Sequence, residues 1–229
     1  MGKIVVIEGI DGSGKNTQSE LLMENLRNEK FSVNKMSFPM YEETFFGKEV
    51  GKYLDGRYGK IDQIPAEFAA ILYAGDRYEK RDDVNNLSSG NKILILDRYV
   101  PSNIAHQCAK VEPSKRESLK EWIETLEYSV FALPKPDLVV FLDMPASISQ
   151  ELVMKKEARS YTEKKQDLHE SDSQHLSASH ECFRDLVEKS SNWVLIECAD
   201  DRGLKSIASI QSEILQKVRN ILEIDSANN

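Results

Sequence analysis

Cysteine is scarce in this chain: Cys108, Cys182 and Cys198 are the only three in 229 residues. Scattered and odd in number, they offer neither a metal-ligand spacing nor a disulfide framework, which points to a reducing compartment. Positive charge is in deficit, with 30 Lys and Arg against 38 Asp and Glu and a formal net charge of −8. Such a balance is ill suited to nonspecific nucleic-acid binding or to an anionic membrane surface, although local donors can still hold a small anion. No apolar run is long enough to span a bilayer, and the N-terminus enters a core strand without the design of a signal peptide. Internal repeats and low-complexity tracts are missing too. These absences predict a cytoplasmic protein with no nucleic-acid or membrane partner. The length allows one substantial core, with one domain over residues 1–224 and a frayed tail at 225–229.

What is present is an alternation. Five short runs rich in Val, Ile and Leu lack the polar alternation of a half-wet strand: Lys3–Glu8, Phe31–Phe38, Lys92–Asp97, Asp137–Asp143 and Asn192–Cys198. They read as parallel strands buried on both faces. Helical patterns separate them, over Lys15–Asn28, over Ala66–Leu87 after Pro65, and over Ser114–Phe131 from the capping box Ser114–Glu117. Another begins at Ser147. The last carries Leu204, Ile207, Ile210, Ile214, Val218 and Ile221 at steps of three or four. This order predicts an α/β protein with a five-stranded parallel sheet flanked by helices in three layers. Ligands of such a sheet sit beyond the carboxyl ends of the strands.

The strongest local signal stands at the first of those ends. After Ile4–Ile7 come Gly9, Ile10, Asp11, Gly12, Ser13, Gly14, Lys15, Asn16 and Thr17, which lead into a helix. Glycines let successive backbone N–H groups turn toward one anion, and the helix adds its unpaired N–H groups and the positive end of its dipole. Lys15 supplies a mobile charge for a β- or γ-phosphate. This is a nucleoside-triphosphate cradle of the P-loop kind. Asn16 stands where that motif has the Ser or Thr that ligates Mg²⁺. Its carbonyl oxygen can serve a hard cation, whereas Thr17 comes one residue too late and faces elsewhere.

A second constellation ends the third strand. Asp97 can hold Mg²⁺ or its waters, or cap the next helix, and Arg98 can fork onto a second phosphate. Asp143 ends a neighbouring strand just before a helix and reads as a cap or turn residue. Lys155–Ser179 is polar and carries Lys155, Lys156, Arg159, Lys164 and Lys165. It reads as a solvated connection or a mobile lid.

Together with Ser37–Tyr41, Leu72–Arg77, Leu96–Gln107 and Leu133–Asp143, these segments make the chain resemble the thymidylate kinase (dTMP kinase) family over nearly its whole length. The most diagnostic stretch is Leu96-Asp-Arg-Tyr-Val-Pro-Ser-Asn-Ile-Ala-His-Gln107. The resemblance implies a P-loop NTPase-type fold and transfer of the γ-phosphoryl group of ATP to dTMP, giving dTDP and ADP, with Mg²⁺. It implies that Lys15 and the loop backbone hold ATP, that Asp11 faces the acceptor's sugar and helps organise the metal, and that Arg98 binds the dTMP phosphate. Tyr73 would stack on thymine, Arg77 would donate to a thymine carbonyl, and Ser102 and Asn103 would read the base edge. His106 falls where an aromatic crowds the ribose 2′-position. Phe38, Tyr41 and Gln107 belong to the same matching segments. The family also implies a homodimer, through Ala66–Tyr73 and Leu119–Phe131.

The departures are informative. Asn16 replaces the metal hydroxyl. Met40 stands near a position where the family often has an arginine, so that Lys48 or Lys52 would have to help Arg98. Gly12 leaves the loop without an arginine, which points to Arg159 in the lid, backed by Lys164 or Lys165, as the cation for the transferring phosphate. Two other functions stay open on the residues alone. A related kinase acting on another nucleotide or on a deoxynucleoside would need a carboxylate base, for which Glu8 is available. A nucleotide-binding protein without transfer is the other, favoured by Asn16 and Met40.

Overall fold

A computed structural model describes residues 2–60, 63–157 and 173–227. Five strands, β1 (Lys3–Glu8), β2 (Ser32–Ser37), β3 (Lys92–Asp97), β4 (Leu138–Asp143) and β5 (Trp193–Glu197), form one sheet in the order β2-β3-β1-β4-β5. Every pairing is parallel, as the unbroken apolar runs predict. The pleat sends alternate side chains to opposite faces, and both faces are covered. Val5 and Ile7 pack with Leu22 and Leu26 of α1 (Lys15–Asn28) and with Ile214 and Val218 of α9 (Ile207–Ala227). Ile4 and Val6 pack in the opposite layer with Ile104 of α5 (Val100–Cys108), Ile123 of α6 (Pro113–Glu124) and Phe183 of α8 (Ser173–Lys189). Three layers result.

Several local expectations need correction. The pattern over Ala66–Leu87 is two helices, α3 (Ala66–Glu79) and α4 (Arg81–Leu87), broken at Lys80. Lys80, at φ −104° and ψ 9°, leaves helical geometry: its N–H donates to Arg77 O at 3.1 Å to close α3, and its carbonyl accepts from Val84 N at 2.9 Å to open α4. Ser114 does not cap α6: Glu112 holds that position and Pro113 is the first helical residue, as its missing N–H allows. Leu204 is not in the last helix. It lies in a two-stranded hairpin, β6 (Ala199–Asp200) with β7 (Gly203–Leu204), and is half exposed. The backbone of α9 stays helical through Ala227, into the stretch expected to fray.

Besides α5, anticipated only as the helix that Asp97 could cap and in fact capped at Tyr99, two helices were not foreseen. One is α2 (Phe45–Leu54), capped by Thr44, whose hydroxyl accepts from Gly47 N at 2.8 Å. The other is α8, which reaches back to Ser173 and buries His175, Leu176 and Ser179, so residues 173–179 belong to the packed body and not to a solvated connection. Asp143 caps no helix. Its two oxygens meet His180 Nε2 at 2.5 Å and Arg184 Nη1 at 2.7 Å, which fastens α8 to the end of β4. The remaining helix, α7 (Ala146–Glu157), starts within a residue of the expected position. Among the described residues no helix is long and apolar enough to cross a membrane.

Candidate active site

β1 and β3 are neighbours, with Ile7 opposite Asp97, so the loop after β1 and the turn after β3 emerge side by side. The bond from Arg98 N to Ile7 O at 3.2 Å continues the ladder beyond the strand.

The loop after β1 is shaped by glycine. Gly12 and Gly14 have φ of +80° and +87°, a region that side chains with a Cβ rarely adopt. A Cβ on Gly12 would also stand 2.6 Å from the carbonyl oxygen of Ser149 on α7. Gly14 caps α1, whose first i to i−4 bond is Gln18 N to Gly14 O at 3.0 Å, so the N–H groups of Lys15, Asn16 and Thr17 have no partner within the helix. Lys15 is buried and donates to Ile10 O at 2.8 Å. Burial, and next the charge of Arg98, pull its pKa down to about 8 in spite of Asp11, Asp97 and Glu8. Ser13 Oγ is buried in the same loop without a hydrogen-bond partner among the described residues. Donors in excess of acceptors suit this loop to an anion.

Arg98 has φ +66°, a conformation unusual for any long side chain and found where a site holds its backbone under strain. Its Nη2 pairs with Asp11, and its Nη1 donates to Ser102 Oγ and to His106 Nε2, each at 3.3 Å. Burial opposes its charge, but Asp11, Asp97 and Glu8 outweigh that and raise its pKa. Glu8 explains how the turn is held. Fully buried, it accepts from Tyr99 N at 2.9 Å, Ser102 N at 3.1 Å and Ser102 Oγ at 2.5 Å, and so caps α5 from another strand. Burial raises its pKa against those bonds. With both oxygens occupied, Glu8 is unsuited to act as a catalytic base.

Beside Arg98 opens a cleft. Phe38, Tyr41, Tyr73, Arg77, Ser102, Asn103, His106 and Gln107 all line it, together with Asp11 and Arg98. The fold thus gathers these expected residues in one place, from the turn after β2 and from α3 and α5. Pro39 and Leu54 complete the wall, whereas Lys48 and Lys52 do not; Lys52 is paired with Glu49 on the surface. The Phe38–Tyr41 turn is tied to α3 by Asp76, which accepts from Met40 N at 3.0 Å and from the Thr44 hydroxyl.

Behind the cleft lies a group without any mark in the sequence. After α6 the chain widens into π geometry over Thr125–Val130, and this places Glu127 in the interior. Such widened turns recur at functional sites. Glu127 receives Arg77 Nε at 2.5 Å and Nη2 at 2.7 Å, and Asn103 Nδ2 at 2.8 Å. Arg77 is thus neither an exposed charge nor wholly free for a ligand: two nitrogens serve Glu127, and Nη1 is not engaged by it. Arg77's pKa is raised: burial works against its charge, but the Glu127 carboxylate outweighs it. His106 is no surface histidine either. It stacks on His175 at 5.7 Å between ring centroids and lies 3.3 Å from Ser179 Oγ, which links the cleft to α8.

Two metal expectations fare differently. Asn16 Oδ1 accepts from Lys35 Nζ at 2.7 Å, on the flank of α1 that also carries Glu20. Asp97 is buried at the strand end, close enough to Lys15 and Arg98 to act on both charges. Arg159, Lys164 and Lys165 lie outside the described residues.

A thymidylate kinase family model matches residues 7–214. The chain belongs to the thymidylate kinase family. It is 33% identical over 149 residues to a thymidylate kinase of Mycobacterium tuberculosis, a match that covers 65% of this chain and 69% of that one. To a probable thymidylate kinase of Thermococcus kodakarensis it is 35% identical over 165 residues, covering 70% and 75%. A solved thymidylate kinase structure from Candida albicans superposes with a TM-score of 0.69 at 21% identity, over 96% of this chain and 92% of that one, and supports the P-loop NTPase-type fold.

Proposed function

We propose that this enzyme transfers the γ-phosphoryl group of ATP to the 5′-phosphate of dTMP. The observation that carries the reading is the adjacency of two groups suited to anions: the Gly9–Thr17 loop with Lys15, and Arg98 beside the cleft. The acceptor oxygen is already anionic near neutral pH, so no general base is required. The residues' task is to offset repulsion between two anions and to align them. Lys15 and the loop N–H groups, with Ser13 Oγ, hold the donor. Arg98, braced by Asp11, holds the acceptor phosphate. Tyr73 stacks on the base, and His106 crowds the ribose 2′-position. The lack of a free carboxylate at Glu8 argues against a nucleoside acceptor.

Mg²⁺ fits in part. Asp97 is a suitable carboxylate at the strand end, whereas Asn16 would first have to give up Lys35. Phosphate oxygens and water supply most ligands of such an ion, which would neutralise charge on the transferring group. With glycine at position 12, the remaining cation for that group is assigned to Arg159, as the family resemblance implies. The apolar residues left exposed on α3 and along the α6 stretch, Phe68, Trp122 and Val130, support a homodimer through those helices. A cytoplasmic location is in keeping with three free, buried cysteines.

A coupled assay with ATP, Mg²⁺ and a panel of monophosphates tests the reading. Turnover should be highest with dTMP. ATP binding without transfer to any monophosphate would overturn it.

A further inference from the structure

Two amides in the cleft are each held in one orientation by neighbours behind them. Asn103 donates Nδ2 to Glu127 Oε1 at 2.8 Å and to Ala70 O at 3.0 Å, which leaves Oδ1, buried, with no hydrogen-bond partner among the described residues. Gln107 is the converse. Its Oε1 accepts from Lys110 Nζ at 2.6 Å, and its buried Nε2 has no partner among the described residues. An ammonium group can only donate, so while Lys110 is charged the amide cannot turn over. Lys110 in turn donates to the Tyr53 hydroxyl at 2.6 Å and lies over the Tyr53 ring at 5.0 Å. Tyr53 meets Tyr73 edge to face at 6.3 Å. Lys110 has no carboxylate among these contacts, and burial alone pulls its pKa down to about 7. Burying an amine here without a counter-charge is costly and calls for a reason beyond packing.

The reason lies in the neighbouring groups. Arg77 and Asn103 share Glu127, and Asn103 and Gln107 stand four residues apart on one face of α5. All three residues line the cleft, and the groups that Glu127 and Lys110 leave unengaged are a donor, an acceptor and a donor: Arg77 Nη1, Asn103 Oδ1 and Gln107 Nε2. The ring edge of thymine reads carbonyl, N–H, carbonyl, which is its complement. Cytosine offers an amine, a bare nitrogen and a carbonyl, and so fails at two of the three places.

We infer that Lys110 is a positioning residue for base specificity, locking the Gln107 amide so that only its N–H₂ faces the second carbonyl of the base while it braces Tyr53 under Tyr73. Lys110 itself does not touch the substrate. The inference rests on the dTMP reading of the cleft.

The test compares wild type with Lys110→Met and Lys110→Arg in steady-state kinetics with ATP, dTMP and dCMP. Lys110→Met should raise KM for dTMP about fivefold or more, leave kcat and KM for ATP within about twofold, and narrow the dTMP-to-dCMP ratio of kcat/KM. Lys110→Arg, which still donates, should restore much of the ratio. An unchanged KM for dTMP, or a parallel loss in KM for ATP, would overturn the inference. Should the variants not fold, the wild-type Gln107 amide protons report instead: in ¹⁵N-resolved spectra they should shift on saturation with dTMP, and no shift counts against the idea. A wild type that ignores dTMP in the same assay would refute the function and not the Lys110–Gln107 bond, which the spectra of the free protein show separately.

Discussion

Asp11 and Arg98 form an ion pair across the ends of two adjacent parallel strands. Each is only partly exposed, so the pair is screened less than a surface one. Asp11 thereby aims at the cleft a guanidinium whose backbone is under strain at φ +66°. Position 98 should show a conflict between stability and activity. Arg98→Gly relieves the left-handed backbone and should not lower thermal stability, since the relief is worth about 1 kcal/mol or more. The same change should lower kcat/KM for dTMP by at least about a hundredfold. A denaturation curve beside a rate measurement checks both halves. A marked loss of Tm would show that Arg98 is chiefly structural.

Glu127 is expected to govern the base side. Glu127→Ala leaves Arg77 buried without its partner, which costs about 3–5 kcal/mol. Replacing both, as in Arg77→Met with Glu127→Leu, should recover most of that stability, because a buried pair gains little over apolar residues of similar volume. It should not recover dTMP binding. Urea denaturation of the single and double variants, with KM for dTMP, separates the packing role from the recognition role.

How much of this was legible in the sequence follows from range. The sheet and the phosphate loop are local patterns: runs of β-branched residues and glycines at fixed offsets declare themselves within ten residues. The residues of α3 and α5 that line the cleft were named through the family resemblance, which rests on compact motifs. Glu127 was not, since nothing marks a glutamate among apolar neighbours as interior until the π turn rotates it inward. Glu8 looked available because its capping partners, Tyr99 and Ser102, lie more than ninety residues away. Leu204 fitted a helical spacing that the hairpin at Gly203 overrides, with φ +108° there.

Gly12 cannot simply be exchanged for the arginine that other loops of this kind carry. Its φ of +80° and the Ser149 carbonyl oxygen 2.6 Å from any Cβ both oppose a side chain. Gly12→Arg should therefore destabilise by about 1–3 kcal/mol and weaken ATP binding, not supply a second catalytic cation. Retained stability together with activity in a background lacking Arg159 would contradict this.

Lys15 makes the enzyme's response to pH predictable in sign. Its pKa in the folded protein is about 8, lowered by burial, against about 10.4 in an unfolded chain. Between those values the unfolded state binds more protons, so Lys15 contributes stability that increases as pH rises from 8 toward 10.4. Below pH 8 the buried ammonium is a full burden, roughly 3 kcal/mol at about 1.4 kcal/mol per unit. Lys15→Met should thus be more stable than wild type at pH 7, and the difference should shrink above pH 8. Catalysis runs the other way. Free enzyme loses the Lys15 charge above pH 8, so kcat/KM for ATP should fall there. Bound triphosphate favours the ammonium, so kcat should hold to higher pH. Parallel profiles of Tm, kcat/KM and kcat from pH 6 to 10 decide the matter, and coincident midpoints for the two rate profiles would show that the loop does not hold the donor through Lys15.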